Sequence, residues 1–146
     1  MITKIFTPKP SPIRTVSTSL YKIVAIMLIT KRFENLSIPK LQVYMWGLQY
    51  RENLQKLKMW KIQNKVTEAP WLLENDIIPI ISQCISNHFL KIETNKSKKV
   101  TVALDSAAND FLQAINEVEL VQELNDCLNE IGKLTDKMLE NIEFDF

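Results

Sequence analysis

The stretch from residue 72 to residue 117 constrains the fold more than any other, because its hydrophobic period changes twice within a short span. The run ENDIIPIISQCISNHF places Ile77, Ile80, Ile81, Cys84, Ile85 and His88 on one face of a helix. Asn75 or Asp76 serves as cap, and Pro79 falls in the first turn, where its missing N–H costs nothing. Leu90 and Ile92 then alternate with lysine and glutamate, as in a half-buried strand. ETNKSKK forms the turn, and Val100, Val102 and Leu104 alternate in the return strand. A further helix opens at DSAANDFLQAI, with Asp105 or Ser106 as cap and Phe111, Leu112 and Ile115 inward. A hairpin of two strands is marginal alone, so the flanking helices must cover it.

The amino half is helical by the same reasoning. Residues 1–16 carry Pro8, Pro10 and Pro12 among Ser and Thr and read as an extended arm. A helix starting near Ser17–Ser19 and running to Arg32 is apolar almost all round (Leu20, Ile23, Val24, Met27 and Leu28, with Ile26 and Ile29), which predicts burial on most sides. Ser37 caps a second helix, with Pro39 in its first turn and Leu41, Tyr44, Met45 and Leu48 as its stripe. A third helix spans 52–66, where Lys58, Lys61 and Lys65 share a strip. Leu120, Leu124, Cys127, Ile131, Leu134 and Met138 continue the pattern as a short heptad seam on a helix from Glu119 to Asn141. The tail EFDF sets two phenylalanines beside acids.

Together these elements predict a mainly α (α+β) chain: a winged-helix domain with a two-stranded wing, extra amino-terminal helices and a long carboxyl-terminal amphipathic helix. The boundaries expected are 1–16 for the arm, 17–117 for the domain and 118–146 for the acidic helix and tail.

Charge is unevenly distributed. Residues 1–66 hold 12 Lys/Arg against 2 Asp/Glu, while residues 101–146 hold 2 Lys against 11 acids. Either the two ends create opposed fields that steer partners, or they neutralise each other in the fold. The run LYKIVAIMLIT is shorter than the roughly 20 residues needed to span a bilayer, and Lys22 interrupts it. A buried helix in a cytoplasmic chain with no membrane partner is the expectation, with Cys84 and Cys127 reduced.

The chain has 2 glycines and 1 histidine, so phosphate-cradling Gly-rich loops are absent. Cys84 and His88 share a helical face, but isoleucines surround the cysteine and no carboxylate at helical spacing orients the imidazole. No catalytic set, cofactor site or metal site is expected, and the chain is read as a non-enzyme. On a DNA-reading helix the outward positions would be Ser82, Gln83, Ser86 and Asn87, none of them charged. Phosphate contact would fall to Lys96, Lys98 and Lys99 in the turn. Trp46, Tyr50 and Trp60 either anchor a protein interface or complete the core.

One family is suggested by SPIRTVSTSLYKIVAIMLITKRFENLSIPKLQVYMWGLQYREN, with its Ser-Pro-x-Arg opening, its apolar Leu-Tyr-Lys helix and its second helix ending in Trp-Gly-Leu. Over residues 10–54 this resembles the small middle component of bacterial ABC-three-component and Lamassu-type anti-phage defence systems. In that pattern an arginine follows the Trp-small-Leu element, whereas here Gln49 and Tyr50 come before Arg51. The resemblance implies a non-enzymatic adaptor docking on an SMC- or Rad50-like ATPase and coupling DNA sensing to an effector nuclease. Arg14, Lys22, Trp46, Arg51 and Trp60 are then the expected protein contacts, and Lys96, Lys98 and Lys99 the DNA-backbone contacts. The alternative is a winged-helix transcription regulator, which requires a symmetric dimer on a palindromic site.

Overall fold

In the computed structural model the described residues are 19–34, 36–63, 77–94, 96, 98–115, 118–135 and 137–139. Arg14, the proline-containing arm, Lys65, the caps expected at Asn75 and Asp76, and the EFDF tail lie outside them.

Helix α1 (Ser19–Arg32) is the centre of the molecule. Every residue from Tyr21 to Thr30 is buried, which accounts for its all-round apolar sequence. Leu20 is the exception, exposed rather than inward. Thr30 survives inside because its hydroxyl donates to the Ile26 carbonyl at 2.7 Å. After α1 comes β1 (Leu36–Ser37), a two-residue strand where the sequence suggests only a polar hinge. Ser37 then caps α2 (Ile38–Gln49), accepting from the Lys40 N–H at 3.4 Å. Helix α3 (Arg51–Gln63) follows almost without a break. Gly47 makes this tight junction possible: a Cβ there would stand 2.6 Å from Leu57 Cδ2.

Helix α4 (Ile77–Ser86) buries Ile77, Ile81 and Cys84, half-buries Ile80, and leaves Ile85 and His88 exposed. The inward face is therefore narrower than the periodicity implies. The helix stops because His88 turns left-handed, with φ 63°. Its N–H reaches the Ile85 carbonyl (3.1 Å) and the Phe89 N–H reaches Cys84 (2.9 Å), the bonding of a Schellman cap. Strands β2 (Leu90–Thr94) and β3 (Val100–Leu104) pair antiparallel, Ile92 opposite Val102, and β3 also pairs with β1. The sheet has three strands in the order β1-β3-β2. Helix α5 (Ala108–Ala114) starts from Ala107 with no side-chain cap; the Asp105 carboxylate accepts instead from the Ser106 N–H at 2.7 Å, and only its backbone carbonyl accepts from the helix, from the Ala108 N–H at 3.1 Å.

Helix α6 (Glu119–Ile131) ends ten residues before the Asn141 expected from the heptad pattern. Gly132 takes φ 71° and ψ −164°, a conformation open essentially to glycine alone, and a single 3₁₀ turn (Lys137–Leu139) follows. Val121, Leu124, Leu128 and Ile131 are its buried residues, while Leu120 and Cys127 of the expected seam are half-buried. They join the same apolar core as α1, α2 and α3. The whole is mainly helical with one small antiparallel sheet.

Candidate functional site

The residues expected to face DNA lie on the outer face of α4 and in the β2–β3 turn. Ser82, Gln83, Ser86 and Asn87 are all exposed, flanked by Ile78 and Ile85 at 37% and 36% exposure. These side chains donate and accept hydrogen bonds but carry no charge, so they supply none of the charge-assisted guanine contacts typical of base reading. Lys96, Lys98 and Lys99 are exposed in the turn, with Lys98 held left-handed at φ 64°. Three exposed ammonium groups in one turn suit phosphate oxygens, which carry no sequence information.

The expected protein contacts separate into different environments. Trp46 and Trp60 are both 4% exposed and stack on each other, ring centroids 4.9 Å apart and nearly parallel at 7°. They are core groups that pin α2 to α3, and cannot serve as surface anchors. Lys22 is buried on α1 and is likewise not presented. Arg51 is exposed, but its guanidinium grips Glu130 of α6 through both nitrogens at 3.1 and 3.3 Å. Tyr50, beside it, is half exposed.

Glu130 belongs to a junction that the linear sequence does not reveal. Lys58 reaches the same carboxylate at 3.3 Å. Lys61 donates to the Ile131 carbonyl at 2.8 Å, and Arg32 donates to Asn129. Cations from α1 and α3 thus gather at the carboxyl end of α6, where the helix dipole is negative. Arg51 and then Lys58 hold the Glu130 carboxyl below the usual carboxylate range. Inside this ring, the Tyr44 hydroxyl donates to the Gly132 carbonyl (2.8 Å) and accepts from the Leu134 N–H (3.0 Å). Burial first, eased by the bond from Leu134, raises its phenol well above the ordinary value. Part of the charge split is therefore neutralised internally. The sequence signals were Gly132 within an otherwise continuous helical pattern and the lysine strip on α3.

The Cys84–His88 pairing does not form a catalytic arrangement. Cys84 is fully buried, and burial pushes its thiol up to about 11, whereas His88 faces solvent beyond the helix end. Among the described residues no three His, Cys, Asp or Glu side chains come together as metal ligands would. Two open clefts flank Lys31, one of about 480 Å³ beside Arg32 and Asn125, the other of about 380 Å³ beside Glu34 and Glu93. No helix among the described residues is long and apolar enough to cross a membrane.

No protein-family model, curated protein or solved structure matches this chain.

Proposed function

We propose that this chain is a non-enzymatic winged-helix subunit, an adaptor that docks on an SMC- or Rad50-like ATPase in a bacterial anti-phage complex and touches DNA only along its backbone. The sheet order supports the winged-helix reading. In that fold a short strand between the first two helices pairs with the outgoing strand of the wing, as Leu36–Ser37 pairs with Val102 and Thr101 here. Helix α3 is then an insertion before the helix that precedes the wing, and α6 is the carboxyl-terminal amphipathic addition.

The observation that carries the functional reading is the division of chemistry between two elements: neutral, exposed Ser82, Gln83, Ser86 and Asn87 on the helix, exposed Lys96, Lys98 and Lys99 on the turn. A transcription regulator would need the reverse emphasis. The ATPase partner rests on the resemblance over residues 10–54, and Arg51 and Tyr50 are the exposed groups of that stretch best placed to meet it. With Trp46, Trp60 and Lys22 inside the fold, docking falls to the surface around the α2–α3 junction.

Two experiments test the proposal. Titration of duplex DNA of unrelated sequences is expected to give equal affinities with strong salt dependence; a preference of about 10³-fold or more for one palindromic site would establish the regulator instead. Co-expression with the products of the neighbouring genes is expected to yield a stable complex with a coiled-coil ATPase, and the docking role fails if the chain purifies alone.

A further inference from the structure

We propose that the free edge of β2 is a homodimer interface, on which a second copy of this chain adds its own β2 antiparallel about a two-fold axis at Ile92. Three observations carry it. First, in the order β1-β3-β2 one side of β2 has no strand partner among the described residues. The Asp105 N–H donates to the Phe89 carbonyl at 2.9 Å, which fixes the phase of the β2–β3 ladder. With Lys91 opposite Ala103 and Glu93 opposite Thr101, those residues direct their backbone groups at β3. Leu90, Ile92 and Thr94 direct theirs outward.

Second, the strand is complementary to itself. Two LKIET strands paired around Ile92 bring Ile92 against Ile92, Leu90 against Thr94, and Lys91 against Glu93 of the second copy on both sides. The outward-pointing residues coincide with the hydrogen-bonded pairs of that register, so backbone and side chains agree. In the single chain Lys91 meets Glu93 of its own strand at 3.6 Å, with both side chains about half exposed. The dimer exchanges that contact for two cross-strand pairs.

Third, the edge lacks the usual guards. Exposed strands are protected by proline, by bulges or by an uncompensated lysine. Residues 88–104 contain no proline, and Glu93 offsets Lys91. Ile92, 46% exposed on this outer strand, would be covered by Ile92 of the second copy. The two-fold also sends the lysine-rich turns to opposite ends, Lys96 falling level with His88 of the second copy, so their charges do not meet. A contact of this size is weak, below the area of a standard stable interface.

The test is sedimentation equilibrium of the purified chain over a wide concentration range, with folding checked by circular dichroism. The expected mass rises with concentration from 17.0 kDa towards twice that value. Lys91→Glu and Glu93→Lys are each expected to be monomeric, because like charges then oppose. Mixing the two variants is expected to restore a dimer, as is the double exchange in one chain. Ile92→Pro removes an outward N–H without touching the β2–β3 ladder and is expected to abolish association. A wild-type chain monomeric even at about 1 mM, the weak end of measurable association, overturns the proposal. So does a dimer that ignores both charge reversals. Neither result overturns the adaptor role, because this association needs no DNA and no ATPase; a monomer would count only against the regulator, which requires a dimer.

Discussion

At the scale of single residues, the chain uses polar groups where the backbone needs closing. Tyr44 is 1% exposed, yet its hydroxyl serves both the Gly132 carbonyl and the Leu134 N–H. Tyr44→Phe leaves both partners unpaired beside the core and is expected to cost about 1–3 kcal/mol in denaturant unfolding. An unchanged midpoint would mean that water replaces the hydroxyl without penalty. His88 stands out in the sequence as a core or catalytic histidine. Its role is conformational, as the left-handed residue that closes α4. Glycine adopts that backbone at no steric cost, so His88→Gly is expected to stabilise the fold by about 0.5–1 kcal/mol, read as a higher melting temperature. A loss of stability would instead point to a side-chain role for the imidazole.

At the scale of elements, the periodic parts of the sequence were legible and the junctions were not. Helices α1, α2 and α4 and strands β2 and β3 follow from apolar spacing, and Ser37 marks its helix start correctly. Strand β1 is invisible in the sequence because two residues establish no period. Periodicity overextends helix α6 because the spacing continues through Leu134 and Met138, both buried, although the chain leaves the helix at Gly132. Trp46 lies off the α2 stripe, which in isolation suggests exposure; α3 covers that side, and Trp60 meets it. The close α2–α3 approach predicts that Gly47→Ala is destabilising by about 1–3 kcal/mol, because Leu57, fully buried, has little room to yield. Calorimetry of the variant checks this; a neutral result would show the junction to be looser. The α3–α6 junction also has a pH signature. Glu130 has a folded-state pKa depressed by Arg51 and Lys58, so its contribution is present above the ordinary carboxylate pKa and fades as pH falls through the depressed value. Glu130→Gln is therefore expected to flatten the acid limb of the stability profile, most visibly at low salt since the pair lies at the surface.

For the whole molecule, part of the charge split in the sequence is closed within the fold. Arg32, Arg51, Lys58 and Lys61 face the carboxyl end of α6, whereas Lys96, Lys98 and Lys99, which belong to neither charged end, lie outside that junction. Replacing Lys96, Lys98 and Lys99 together by alanine is expected to weaken DNA binding equally for all sequences. It should also reduce the slope of log affinity against log salt by about 0.9 for every phosphate no longer neutralised. A slope that stays constant would move the DNA-binding surface elsewhere. The central claim, however, is that this chain acts by docking. Light scattering of the chain co-expressed with the products of its neighbouring genes, any coiled-coil ATPase among them included, tests that claim most directly. The account predicts one complex of fixed stoichiometry that weakens when Arg51 and Tyr50 are both changed to alanine. Docking is contradicted if the two proteins elute separately, whether the chain is then a monomer or a homodimer.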